Sequence, residues 1–245
     1  QYDPSSNRYD IHPLLWQYAS EKLAEEGTDT GMLSERYRAY YERWLAGLEA
    51  HLAAAQEHSR LQRMDDELAN IRQVWQWATE QGDVEWLDAT SAALHHYSRR
   101  RGQYQKGAEA FANAVQSLRV REEDETARAR AKLLAFQADM LREQGHSGRA
   151  SECLEESARL LDHAALRGKD IRREAAFTWW LTALLTPDAK AAGELLGRSL
   201  AHYQDLGALS KTAGVLADLG LLWKSVGDLA QAEVCFEESY AICRQ

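Results

Sequence analysis

The feature that most restricts what this chain can fold into is an internal repeat, because a period of a few tens of residues dictates a stacked architecture before any single helix is placed. Near the C-terminus Ala213, Leu216, Leu219, Gly220, Trp223, Gly227, Asp228, Ala232 and Phe236 stand at the spacing of a two-helix unit. In such a unit small residues sit where paired helices approach, a Leu or aromatic fills the next layer, and Gly or Asp closes the first helix. The same order returns at Ala131, Leu134, Ala138, Leu141, Gly145, Ala150 and Leu154. It returns again at Ala176, Trp180, Ala183, Pro187, Asp188, Ala192 and Leu196, with proline in place of the turn glycine. A weaker copy holds Leu94, Ser98, Gly102, Gly107, Phe111 and Ala114, preceded by Ile71, Val74, Trp75, Ala78 and the turn Gly82-Asp83. From Gly102 through Gly145 and Pro187 to Gly227 the turns advance by 43, 42 and 40 residues. One hairpin cannot bury its apolar face alone, whereas stacked hairpins can, so the pattern predicts an all-α solenoid. A generic helical bundle would satisfy the same Leu and Ala spacing.

Composition narrows the function classes. Only 3 prolines occur in 245 residues, as an all-α fold requires. The chain carries 29 Lys and Arg against 38 Asp and Glu, a formal charge of −9. Duplex binding draws its affinity from basic side chains that neutralise phosphates, so direct nucleic-acid binding is not expected. The longest charge-free apolar stretch, 175–187, falls well short of the roughly 18 residues that a membrane span needs. Three cysteines without a CxxC pair argue for a reducing compartment, with the cytoplasm as the default. The lack of an initiating Met and the stop at Arg244-Gln245 inside a helical pattern predict a module of a longer polypeptide.

The first sixty residues do not repeat. Tyr9 to Leu15 reads as a short extended piece entering a helix at Pro13, a residue favoured in a first turn. Leu14, Leu15, Tyr18, Ala19 and Leu23 make one apolar face, and 26–29 ends that helix. A second helix is predicted from about Ser34, with Tyr37, Tyr41, Trp44, Leu45, Leu48 and Leu52 recurring at three and four. The expected organisation is an N-terminal piece over 1–30, a linker helix over 31–64 and the repeat region over 65–245.

The repeats resemble the tetratricopeptide repeat, at a period near 40 rather than the usual 34 or so. The resemblance implies a right-handed superhelical solenoid with longer helices or linkers, and a concave binding face. The run Tyr9-Asp10-Ile11-His12-Pro13-Leu14-Leu15-x-x-Tyr18-Ala19 looks like the end of the winged-helix domain in signal-transduction ATPases with numerous domains (STAND), the class related to the NB-ARC switches. That resemblance implies that His12 reaches the β-phosphate of ADP bound in the parent protein, where ATP or ADP is the expected cofactor. Pro13 stands where the family usually has Asp. The run Asn70-Ile71-Arg72-x-x-Trp75-x-Trp77-Ala78-x-x-x-Gly82-Asp83 resembles the segment that opens the repeat-type sensors of bacterial STAND regulators. What is implied is a sensor whose partners are an inducer and the parent chain's nucleotide-binding domain. A plain tetratricopeptide scaffold bridging two proteins is the alternative.

No cofactor is expected within this stretch itself. It has no GxxxxGK[ST], and the nearest run, Gly207-Ala208-Leu209-Ser210-Lys211-Thr212, lacks the glycine before Lys that lets backbone N–H groups wrap a phosphate. No nucleophile stands in a strand-turn-helix elbow, so the chain reads as a non-enzyme. His95-His96 invites a metal reading, but adjacent helical residues point about 100° apart and lack flanking ligands on either face. Cys235 and Cys243 read as small core residues. Arg99-Arg100-Arg101 and the Arg167, Lys169, Arg172, Arg173 cluster read as solvated surface near acidic runs such as Glu122-Glu123-Asp124-Glu125.

A solenoid binds on its concave side, lined by the first helix of each repeat. Counted from the turns, the inward positions outside the core are Arg72, Gln76, His96, Arg99, Lys132, Asp139, Arg142, Phe177, Leu181 and Lys224. Basic residues dominate that set, which suits an acidic peptide, a protein surface or an anionic small molecule, with Phe177 and Leu181 as an apolar anchor. The other reading is that these charges pair with glutamates of neighbouring helices.

Overall fold

The computed structural model describes residues 2–3, 8–9, 13–25, 31–49 and 57–244. They form an all-α, solenoid-like fold with one two-residue antiparallel ladder, β1 (Tyr2–Asp3) on β2 (Arg8–Tyr9), whose backbone register pairs Tyr2 with Tyr9. The chain divides into two compact units, 1–44 and 45–245. In the first, the ladder is followed by α1 (Pro13–Glu25) and by most of α2 (Gly31–Glu49). The proline start of α1 is as predicted, while Leu14, Leu15 and Tyr18 of its apolar face are all exposed. In α2, Tyr41 packs edge-on between Tyr37 and Trp44, at ring distances of 4.9 and 6.2 Å.

In the second unit α3 (Glu57–Gln81) runs straight through the boundary expected at 64/65. Four hairpins follow: α4 (Val84–Arg100) with α5 (Tyr104–Leu118), α6 (Glu123–Glu143) with α7 (Ser147–Leu161), α8 (Arg172–Leu185) with α9 (Ala189–Asp205), and α10 (Leu209–Ser225) with α11 (Leu229–Cys243). The second helix of each hairpin packs on the first helix of the next, and α4 touches α6 as α6 touches α8. First helices thus line up along one side of the stack. No helix among the described residues is long and apolar enough to cross a membrane.

Local chemistry explains the hairpins. At Gly145 (φ 80°) the backbone turns left-handed, and His146 N–H donates back to Leu141 O at 2.9 Å. The same closing bond joins Gln103 to Ser98 O at 2.8 Å and Asp228 to Trp223 O at 2.9 Å. Pro187 has no N–H to give, and its turn is completed by the Asp188 carboxylate, which accepts from Lys190 N–H at 3.1 Å. Between paired helices a serine twelve residues after each turn donates to the alanine that opens the repeat: Ser157 to Ala131 O at 2.9 Å, Ser199 to Ala176 O at 2.8 Å and Ser239 to Ala213 O at 2.8 Å. The weak first copy has Ala114 there instead, and lacks this bond. The small residues of the motif mark crossings. A Cβ on Gly107 would stand 3.0 Å from Met140 Sδ and 3.1 Å from Ser98, and one on Gly220 would stand 2.6 Å from the Phe236 ring.

Candidate functional site

The aligned first helices bring one cluster together from four successive repeats. On α4, His95 and Arg99 lie one turn apart on the same face. On α6, Phe136, Asp139 and Glu143 form the matching stripe, with Arg142 beside it. Asp139 is fully buried. Its Oδ2 accepts from His95 Nε2 at 2.8 Å, Arg99 Nη1 donates to both oxygens at 2.7 and 2.9 Å, and Arg142 Nη2 donates to Oδ1 at 3.1 Å. Arg142 also bonds Glu143, and Arg99 Nη2 stands 3.5 Å from that carboxylate. Burial pushes Asp139 up, but the His95 bond and the Arg99 charge outweigh it and hold the carboxyl well below the usual range. Burial lowers His95 against the pull of Asp139, so the imidazole is neutral and donates. Its ring stacks on Phe136 at 4.3 Å and meets the edge of Phe177 at 5.6 Å.

Phe177 and Trp180 of α8 continue this aromatic row at 6.2 Å from each other. Over them stands Lys211 of α10, its Nζ 5.0 Å from the Phe177 centroid and 5.6 Å from that of Trp180. The ammonium makes no hydrogen bond or ion pair among the described residues. Lys211 is exposed in surface area, yet desolvation lowers its pKa. Arg173, one turn before Phe177, is exposed and without an ion pair among the described residues, and its charge acts on Lys211. Trp180 donates from Nε1 to Asp218 Oδ2 at 2.7 Å. Its ring edge rests on Gly214, where a Cβ would come within 2.7 Å. Lys211, Gly214 and Asp218 are therefore one stripe of α10 that holds the indole. Burial raises the Asp218 carboxyl, opposed by the Trp180 bond and by the charges of Arg142 and Arg99.

Of the inward positions expected from the sequence, the structure brings together Arg99, Asp139, Arg142 and Phe177. Asp139 is interior rather than a groove residue, because three donors converge on it and neutralise it out of water. Phe177 and Leu181 are 7 % and 2 % exposed, hence core rather than a free apolar anchor, although the Phe177 ring still forms the floor under Lys211. Arg99 is tied to Asp139 and Glu143 of the neighbouring α6, close to the pairing alternative, whereas Arg142 pairs with the same two carboxylates on its own helix. Lys132 is likewise bound, to Asp88 O at 2.6 Å and Oδ1 at 3.1 Å. Arg72 donates to Gln103 at 2.8 Å, Gln76 to Glu80 at 2.8 Å, and His96 faces Glu57 at 3.0 Å. These three do not join the cluster. Lys224 is exposed on the side of α10 turned away from the Lys211 stripe, since thirteen residues at 100° each carry it round the helix. His12 lies outside the described residues. Lys211, Asp218, His95 and Phe136 were not singled out by spacing, and Trp180 was read only as a layer-filling residue of its repeat. The one signal in sequence was the i, i+3, i+7 placement of Lys211, Gly214 and Asp218.

Among the described residues no group of three or more His, Cys, Asp or Glu is placed to hold a metal ion. Cys235 is buried, Cys153 half-buried and Cys243 exposed, so only one of the two cysteines expected in the core is there.

No protein-family model matches this chain, and no curated protein is similar enough to it to count as a relative. Among solved structures it is similar to a chain described as the crystal structure of BtubC (BKLC) from P. vanneervenii, with 19% sequence identity, a TM-score of 0.50, and coverage of 86% of this chain and 91% of that one. A likeness at that identity concerns the fold alone: the chain belongs with all-α, solenoid-like proteins.

Proposed function

We propose that this chain is the sensor arm of a cytoplasmic STAND-type regulator, a tetratricopeptide-like domain that recognises an inducer on the face lined by α4, α6, α8 and α10. Its work is recognition rather than catalysis. The observation that carries this reading is a pair of cations without ion-pair partners among the described residues: Lys211, which stands over the rings of Phe177 and Trp180, and Arg173, whose charge acts on it. Structural charge pairs consume their cations, whereas a face that takes an anionic ligand keeps some unpaired. The winged-helix-like run around His12 supports a parent protein in which the arm rests on a nucleotide-binding domain that uses ATP or ADP. The inducer then competes with that packing, and any preference for the open state shifts the population by the same free energy.

Calorimetry of the 245-residue chain against acidic peptides, carboxylates and phosphates tests the reading. At least one probe is expected to bind and to lose affinity tenfold or more in Lys211→Glu with Arg173→Glu, since each charge-assisted bond is worth about 1.5–3 kcal/mol. Reversing Arg99 and Arg142 would be a poor test, because both hold Asp139. Affinities unchanged by the Lys211 and Arg173 reversal would refute a binding role for this face.

A further inference from the structure

Within the cluster, Arg99 and Arg142 neutralise Asp139 and Glu143, and the charges left over are not all of one sign. Lys211 and Arg173 remain at one end. At the other stands Asp218, whose Oδ2 is taken by Trp180 and which makes no further hydrogen bond among the described residues. Lys211 and Asp218 are seven residues apart on α10, about 10.5 Å along the helix axis. Gly214 lies between them and has no side chain, which is what lets the indole lie across the gap. The arrangement is a cation, an apolar plate and a carboxylate in a row. A ligand with only an anionic group would leave the Asp218 carboxylate facing it unpaired, and a ligand with only a cationic group would meet Lys211 and Arg173.

Taking the face described above as the binding face, we propose that its ligand is a zwitterion of the amino-acid or short-peptide class. The carboxylate sits at Lys211 and Arg173, the ammonium at Asp218, and the body lies on the half-buried Trp180. A dipeptide, two residues of extended chain at about 3.3–3.6 Å each, is the shortest peptide that carries both charges at opposite ends of an apolar body.

The probe is the dipeptide alanylphenylalanine with free termini, compared by calorimetry at pH 7 with its N-acetyl form, which keeps only the carboxylate, and its C-terminal amide, which keeps only the amine. On the unaltered 245-residue chain the free dipeptide is expected to bind at least tenfold more tightly than either capped form. In Lys211→Met with Arg173→Met, which keeps aliphatic stems at both positions and removes both cations, amidation is expected to change affinity less than about twofold. In Asp218→Asn, which keeps an acceptor for Trp180, acetylation is expected to change it less than about twofold. An N-acetyl form that binds as tightly as the free dipeptide overturns the zwitterion while leaving an anion-binding face intact. Failure of all three forms to bind the unaltered chain overturns the proposal, and the panel with the Lys211 and Arg173 reversal then decides the binding face separately. The capping series needs no variant, so a substitution that unfolds the chain does not remove the test.

Discussion

Burying a carboxylate costs several kcal/mol unless donors and opposite charge meet its oxygens, and Asp139 has both, from His95, Arg99 and Arg142. The arrangement makes stability depend on pH, with a sign that follows from linkage. Burial lowers His95 from its ordinary 6.5, so the unfolded chain takes up a proton that the folded chain resists. Stability from the neutral imidazole is therefore present above about pH 6.5 and is lost as the pH falls below it. Asp139 is depressed from 3.8, so its contribution holds above that value and fails only in stronger acid. Urea unfolding is expected to show a midpoint that drops between pH 7.5 and 5.5 in the unaltered chain. His95→Gln, which still offers Asp139 a donor, should flatten that slope. A slope equal in both would show that His95 is not the titrating group. Lys211 and Arg99 press on the same imidazole and lower it further, so the cluster responds as a unit.

At the scale of the element, two glycines of one chemistry should answer to substitution with opposite signs. Gly145 follows α6 with φ at 80°, where a Cβ is strained whatever the space around it. Gly145→Ala is expected to destabilise by about 1–2 kcal/mol, the cost of a left-handed L-residue. Gly197 lies inside α9 with nothing within 4 Å of an added Cβ. Gly197→Ala should stabilise by up to about 1 kcal/mol through helix propensity. Thermal unfolding reads both, and shifts of the same sign would contradict the assignment. The turns were legible because a left-handed glycine is a local requirement. The helices between them were legible as well, since small residues had to recur wherever two helices cross, as Gly107 on Ser98 and Gly220 on Phe236 do. The boundary at 64/65 was not legible, because nothing local to those residues separates the end of a linker from the middle of α3, whose buried Leu61, Met64 and Ile71 form a single stripe.

Across the whole molecule, burial is unequal along the stack. Helix α6 is packed by α4, α5, α7 and α8, and Leu133 and Met140 in it are fully buried. Helix α11 meets α10, and Val234, Phe236 and Tyr240 on it are exposed. Since local opening follows buried contact, α6 amides are expected to be the most protected from hydrogen exchange and α11 amides to exchange markedly faster. Equal protection would mean that the stack opens as one unit. The sequence by itself determined that helices form, where they turn and that they stack, because propensity, capping and small-residue spacing act over a few residues or over one regular period. Which charges pair was decided by tertiary structure alone. Arg99 and Asp139 are forty residues apart and could both have lined a groove. They meet because α4 and α6 lie side by side at one rotation, while Lys211 and Asp218 of α10 stand beside Trp180 without an ion pair among the described residues. Rotation and distance between helices arise from packing many side chains at once, and a repeat period carries neither.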